Sequence, residues 1–256
     1  MCRHIGYIGN KKNLASILLD HNHSLIEMSY KPKEMKEATL NADGFGIAWL
    51  HKKEIESYKS DFPIWNDLNL LPITKSISST LVIGNVRSAT IGENLGYANT
   101  HPFKYKNFFF SHNGYIKGFN SNNNKKLLKY LDEDLFSQIK GNTDSEIIFF
   151  LILQLLRSTK DIKKSLAKAI TLIKKYYTGS MLNFLLGTSD RTGNKILFAT
   201  KYGNILNAPS LYYKKIKNIG YIISSEKLND DTSWKEVKNN QLLSVTKKTI
   251  RIEKII

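Results

Sequence analysis

Strand-like segments on either side of a central helical block constrain this 256-residue chain more than any other feature of its sequence. Short apolar or alternating runs bounded by Gly, Asn and Pro occupy His4–Ile8, Gly44–His51, Thr80–Arg87 and Asn107–Ser111, as expected of buried strands. In the middle, Asp161–Tyr177 sets Ile162, Leu166, Ala169, Ile170 and Ile173 on one stripe at helical spacing. Thr143 and Glu146 have capping-box spacing ahead of the apolar run Ile147–Leu156, which predicts a buried helix starting there. Lys125–Gln138 reads as a further amphipathic helix. Strands return at Met181–Thr188, Lys195–Thr200, Tyr221–Ser225, Leu242–Thr246 and Thr249–Ile256. This order predicts an α+β protein in which sheets pack together and helices lie outside.

Size and composition narrow the class. With 41% hydrophobic residues the chain can bury a full core, and one domain over residues 1–256 is expected. Cys2 is the only cysteine, which excludes an intramolecular disulfide and suits a reducing compartment. Cys2, Arg3 and His4 stand where a secretory signal would place apolar residues, and Ile147–Leu156 falls well short of the ~20 residues of a membrane helix. A cytoplasmic protein without membrane contact is therefore expected. The net charge of +16 raises the question of nucleic acid, but lysine pairs such as Lys11-Lys12, Lys125-Lys126 and Lys214-Lys215 are scattered. No zinc-finger or RNA-recognition pattern accompanies them, so no specific nucleic-acid partner is expected. The histidines lack a spacing such as His-Glu-x-x-His, and neither metal nor cofactor is expected. Oligomeric state stays open, a homo-oligomer included.

Chemistry enters at the start of the chain. Cys2 directly follows Met1, and trimming of the methionine would leave one residue carrying both a thiol and an α-amine. An amine with a pKa of about 7.7–8.0 can take the proton of a neighbouring thiol as the sulfur attacks a carbonyl. A γ-glutamyl amide would then need a cation for its α-carboxylate, an anion for its α-ammonium and donors for an oxyanion. Arg87 ends an apolar strand and can grip a carboxylate with two parallel hydrogen bonds. Asn113 and Gly114 follow the apolar Phe108-Phe109-Phe110 at an expected turn and can supply two donors. Asp144 lies at an expected helix N-terminus. Plainer alternatives remain open: a surface ion pair for Arg87, a tight Asn-Gly hairpin turn, and simple dipole complementation by Asp144. Turn chemistry would equally explain Asn41–Gly46, and an ordinary loop histidine would explain His101 in Asn99–Phe103.

Taken in order, these segments resemble the class II glutamine amidotransferases, a branch of the N-terminal-nucleophile hydrolases. The resemblance implies a four-layer αββα sandwich, Cys2 as nucleophile, Asn113 and Gly114 as oxyanion hole, and Arg87 and Asp144 as the carboxylate- and ammonium-binding residues. It adds Thr100 and His101 as substrate-binding residues. Within the family, Met1-Cys2-Arg3-His4, Asn41–Gly44, Ser60–Trp65, Val86–Gly92, Ser111–Gly114, Ser225-Glu226 and Asp230–Trp234 are similar to the stand-alone amidohydrolases of ergothioneine biosynthesis. That likeness implies cleavage of γ-glutamyl-hercynylcysteine sulfoxide to glutamate and hercynylcysteine sulfoxide, with Ser225 and Glu226 as candidate leaving-group contacts. Where fused amidotransferases usually carry Trp after the arginine, Ser88 stands here, and no acceptor domain is expected within the 256 residues. The alternatives are a glutaminase or ammonia-supplying subunit, a glutathione-type γ-glutamyl hydrolase, and a non-catalytic basic binding module.

Overall fold

Each segment expected to be a strand contains one in the computed structural model, which describes residues 1–35, 39–89, 95–120, 124–203 and 208–256. Thr90, Ile91 and Gly92 of the Val86–Gly92 segment lie outside the described residues. One antiparallel sheet has seven strands: β1 (Arg3–Asn13), β2 (Phe45–His51), β3 (Glu54–Ser60), β4 (Ser78–Val86), β9 (Tyr212–Ile216), β10 (Gly220–Ser224) and β11 (Lys235–Glu236). Their order is β11-β9-β10-β1-β4-β2-β3. The other sheet has six: β5 (Phe103–Tyr105), β6 (Phe108–Tyr115), β7 (Met181–Ser189), β8 (Lys195–Lys201), β12 (Gln241–Val245) and β13 (Ile250–Lys254), in the order β13-β12-β8-β7-β6-β5.

Three apolar layers join these sheets to each other and to the helices. Ile8, Leu81, Ile83, Phe109, Leu185 and Leu197 fill the space between the sheets. A Cβ on Gly6 would sit 3.0 Å from Leu197 Cδ2 and 3.2 Å from Leu185 Cδ1, so the sheets approach closely at β1. On the outer face of the seven-stranded sheet, Ile5, Tyr7 and Val82 pack against α1 (Leu14–Leu18), α2 (Leu25–Tyr30) and α3 (Leu70–Ser76). On the outer face of the other sheet, Phe110, Phe184 and Leu186 pack against α6 (Asp144–Thr159) and α7 (Ile162–Tyr176). The result is the expected helix–sheet–sheet–helix sandwich. Because both faces of the central strands are covered, β7 is buried at every position, which explains why such strands read as continuous apolar runs instead of alternating ones.

The helices depart from the sequence expectation in one place. Lys125–Gln138 forms two single turns, α4 (Lys125–Leu128) and α5 (Glu133–Phe136), in place of one amphipathic helix. Asp132 breaks the run: its backbone N–H donates to Gln154 Oε1, and its carboxylate accepts from Gln154 Nε2 and Arg157 Nη1 of α6. Among the described residues no helix is long and apolar enough to cross a membrane.

Candidate active site

The site begins where β1 and β4 part. Arg3 pairs with Val86 in antiparallel register, so Cys2 and Arg87 leave the sheet side by side. Cys2 is 7% exposed, and its thiol approaches the Ser88 carbonyl oxygen at 3.9 Å. His4, two residues on, faces the other sheet, with Nδ1 3.2 Å from Ser111 Oγ of β6. Asn85 Nδ2 donates to the same hydroxyl at 3.0 Å. Burial, then His112 and Arg3, drive the His4 pKa down to about 3, so His4 is neutral at physiological pH.

Arg3 turns to the opposite side of β1 and is wholly buried. Its Nε donates to Glu226 Oε1 at 2.6 Å, while Nη1 donates to the carbonyl oxygen of Cys2 at 2.9 Å. Glu226 accepts three further hydrogen bonds, from His23 Nε2 at 2.6 Å, Lys33 N at 2.8 Å and Glu34 N at 3.1 Å. Burial alone would raise its pKa, but these donors and the Arg3 charge lower it to about 2. These hydrogen bonds satisfy the carboxylate half of the buried ion pair, whereas Arg3 Nη2 has no partner among the described residues. Glu226, expected as a leaving-group contact by resemblance, thus has both oxygens committed to holding the chain around Cys2. Sequence reasoning assigned Arg3 and His23 no role. An arginine at the head of an apolar strand was the available signal, since such a residue demands a buried acid.

Asn113 and Gly114 sit across the inter-sheet space. They are not a hairpin turn: β6 continues to Tyr115, with Asn113 opposite Asn183 and Gly114 opposite Leu182 of β7. Glycine is required at 114 because a Cβ there would lie 2.0 Å from the Met181 carbonyl oxygen. Asn113 Nδ2 donates to Ser225 Oγ at 3.2 Å, and the same hydroxyl accepts the His4 backbone N–H at 2.9 Å. One hydroxyl therefore couples the strand that carries Cys2 to the amide of Asn113. Ser225 takes only one of the two N–H bonds of that amide.

Arg87 is 1% exposed, which rules out the surface ion pair. Its backbone N–H donates to Gly44 O at 2.8 Å, its carbonyl accepts from Asp43 N at 3.0 Å, and Ala89 N donates to Asp43 Oδ2 at 2.8 Å. The Asn41–Gly46 loop is thereby fused to the Arg87–Ala89 segment. Thr100 and His101 press on it from the other side. A Cβ on Gly44, whose φ is 110°, would lie 2.9 Å from Thr100 Oγ1, and one on Gly46 would lie 2.2 Å from His101 O. Neither ring nitrogen of the buried His101 has a hydrogen-bond partner among the described residues. Burial first, then the charges of His112, Arg87, Lys59 and His4, hold its pKa well below the usual range. A neutral imidazole beside the arginine can accept or donate one hydrogen bond without repelling it.

Asp144 opens α6 behind Thr143, whose hydroxyl accepts from Glu146 N at 3.3 Å. The Glu146 carboxylate does not return to Thr143; it accepts from Lys140 N at 3.0 Å and Gly141 N at 2.7 Å and closes the preceding turn. Asp144 Oδ2 accepts the Ile116 N–H at 2.6 Å, and Oδ1 accepts from Ser145 Oγ at 2.9 Å. It thus stands just past the end of β6, beyond Asn113 and Gly114. Asn99 Nδ2 donates to Asn142 Oδ1 at 2.9 Å while Asn142 N donates to Asn99 Oδ1 at 3.0 Å. This reciprocal pair ties the Thr100–His101 loop to the turn that carries Asp144.

A thiol, a buried guanidinium, amide donors and a carboxylate suit acyl transfer from an amide. Residues 19–199 match the family model of the class-II glutamine amidotransferases. The chain belongs to the class II glutamine amidotransferases. It is accordingly an amide-bond hydrolase by family. The γ-glutamyl-hercynylcysteine sulfoxide hydrolase of Mycolicibacterium smegmatis is 26% identical over 249 residues, covering 96% of both chains. The enzyme of the same name from Mycobacterium tuberculosis is 25% identical over 252 residues, covering 98% of this chain and 96% of its own. In fold, the chain is similar to a glutamine aminotransferase class-II domain protein from Silicibacter pomeroyi, with a TM-score of 0.74, 24% identity and full coverage of both chains.

Proposed function

We propose that residues 1–256 act as one N-terminal-nucleophile domain that hydrolyses γ-glutamyl amides through Cys2, and that the substrate is γ-glutamyl-hercynylcysteine sulfoxide. The bridge from His4 N through Ser225 Oγ to Asn113 Nδ2 carries this reading, because it couples the Cys2 strand to an oxyanion donor across two sheets. The near full-length similarity to the two mycobacterial hydrolases supports the substrate.

In the proposed mechanism Met1 is removed and the free amine of Cys2 accepts the thiol proton. The thiolate attacks the δ-carbonyl carbon, and the resulting oxyanion takes hydrogen bonds from the Asn113 side chain and the Gly114 N–H. Loss of one such donor costs about 2.7–4 kcal/mol of transition-state stabilisation. Arg87 holds the substrate carboxylate and Asp144 its ammonium, with Thr100 and His101 lining the clamp. The Cys2 ammonium then gives its proton to the departing nitrogen as the C–N bond breaks, leaving a γ-glutamyl thioester. Water, deprotonated by the same amine, attacks the thioester, glutamate leaves and the thiol is restored.

Cys2→Ala is expected to abolish glutamate release, and intact-mass measurement of active protein is expected to show Met1 missing. Retained turnover in the variant, or full activity with Met1 in place, refutes the nucleophile. Parallel kcat/KM values for γ-glutamyl-hercynylcysteine sulfoxide, glutathione and glutamine test the substrate. Preference for either of the last two would reassign it to another γ-glutamyl amide.

A further inference from the structure

Resting on the γ-glutamyl hydrolase reading, we propose that a cavity beside the N-terminus is the leaving-group subsite, and that Glu34 and Tyr212 there select leaving groups bearing a positive charge. The cavity measures about 420 Å³, and Met1, Glu34, Lys201, Ser210, Tyr212 and Glu236 are among its lining residues. That volume lies within the range of small-molecule sites. Because Met1 lines it, loss of Met1 leaves the Cys2 amine facing this space, on the side where a departing nitrogen collects its proton.

Both walls are built onto the catalytic candidates. On one side, Lys33 N and Glu34 N donate to Glu226, the carboxylate that also clamps Arg3 and, through it, the Cys2 carbonyl. On the other, Ser210 Oγ donates to the Ser225 carbonyl at 2.9 Å, and the carbonyl of neighbouring Pro209 accepts from Asn183 Nδ2 at 2.7 Å. Ser225 in turn accepts from Asn113. The cavity is thus held in fixed relation to both the nucleophile and the oxyanion donor.

Its charges suit a zwitterion. Lys201 Nζ is 3.0 Å from Glu236 Oε1, and these two largely cancel. Glu34 has no cationic partner among the described residues; the Tyr212 hydroxyl donates to its carboxylate at 3.0 Å and holds it half-buried. Burial, then Glu34, raise the Tyr212 pKa, so the phenol stays protonated and keeps that hydrogen bond. In a protein of net charge +16 a cavity carboxylate with no cationic partner among the described residues favours a cation; Lys227 Nζ already stands 5.3 Å from the Tyr212 ring centroid, so the charge preference rests on Glu34, with Tyr212 as its hydrogen-bond donor. Lys33, exposed at the rim, can meet a carboxylate of the same leaving group.

The test compares Glu34→Gln and Tyr212→Phe with wild type on γ-glutamyl-hercynylcysteine sulfoxide, whose leaving group carries a trimethylammonium, and on glutamine, whose leaving group is ammonia. The ratio of the two kcat/KM values is expected to fall about tenfold in Glu34→Gln, the size of one lost charge contact. An unchanged ratio overturns the assignment, including the case in which both substrates slow equally. Calorimetric titration with hercynine, the trimethylammonium betaine of histidine, separates this inference from the hydrolase reading. Hercynine binding to wild type that weakens in Glu34→Gln supports the subsite even if no amide is cleaved; equal binding to both proteins, or none to wild type, overturns it.

Discussion

Gly114 shows how a single missing methylene shapes the site. Its carbonyl neighbour across the ladder, Met181 O, leaves room for no Cβ, and the adjacent Asn113 amide depends on that ladder for its aim. Gly114→Ala is expected to force β6 away from β7, to lose nearly all glutamate release and to cost about 3 kcal/mol of stability. Denaturant unfolding and steady-state kinetics check both; a variant with wild-type kinetics would show that the Gly114 amide takes no part in the reaction. Arg3 makes the complementary case of a residue kept by its partners. Its guanidinium spans from the Cys2 carbonyl to Glu226, and Glu226 spans from there to His23 and the Lys33–Glu34 wall. An apolar strand tolerates such a charge here because its carboxylate partner is itself fully hydrogen-bonded, while the buried Arg3 Nη2 has no partner among the described residues.

Helix α6 holds the proposed ammonium-binding residue in its first turn. Thr143 caps it, Asp144 is its first residue, and every residue from Asp144 to Leu153 is buried between the six-stranded sheet and its helical cover. Thr143→Ala removes the cap and is expected to cost about 1 kcal/mol, read as a lower urea midpoint. Because the cap also sets the position of Asp144, KM for the γ-glutamyl substrate should rise more than kcat falls; an unaltered KM would separate the helix end from substrate binding. At this level the sequence was partly legible. Asp161–Tyr177 gave its stripe clearly, and α7 spans Ile162–Tyr176 with Asp161 as the cap. Edge strand β3 and strand β9 went unread because Glu54–Ser60 and Tyr212–Ile216 mix charged and apolar residues, as the margins of a sheet permit. Helices α1 to α3, at five to seven residues, are too short for a 3.6-residue period to show.

The assembled molecule encloses histidines in its layers, and this predicts acid sensitivity. His4, His101 and His112 all have lowered pKa values, burial being the largest cause in each. A depressed folded-state pKa means that the unfolded chain binds the proton more readily. Stability from His4 is therefore complete above its ordinary value of 6.5 and is lost as pH falls from there towards about 3. Glu226 adds a second loss between its ordinary 4.5 and about 2. Each group contributes up to about 1.4 kcal/mol per pH unit within its window. Unfolding free energy measured from pH 7 to pH 4 is expected to drop, with a shallower slope in His4→Asn; an equal slope in the variant would place the proton uptake elsewhere.

Hydrophobic periodicity and the order of segments were enough to foresee a sandwich of sheets between helices, since burying a strand or a helix face leaves a local pattern along the chain. Local pattern could not tell Asn113-Gly114 in mid-strand from the same pair in a turn, because the deciding contact, the Met181 carbonyl, lies 67 positions further along. Nor could it pair Arg3 with Glu226 or bring Ser225 between His4 and Asn113. Those partners meet only when the two sheets close, and the energy of a buried charge or amide depends on what it meets there rather than on its neighbours in the chain.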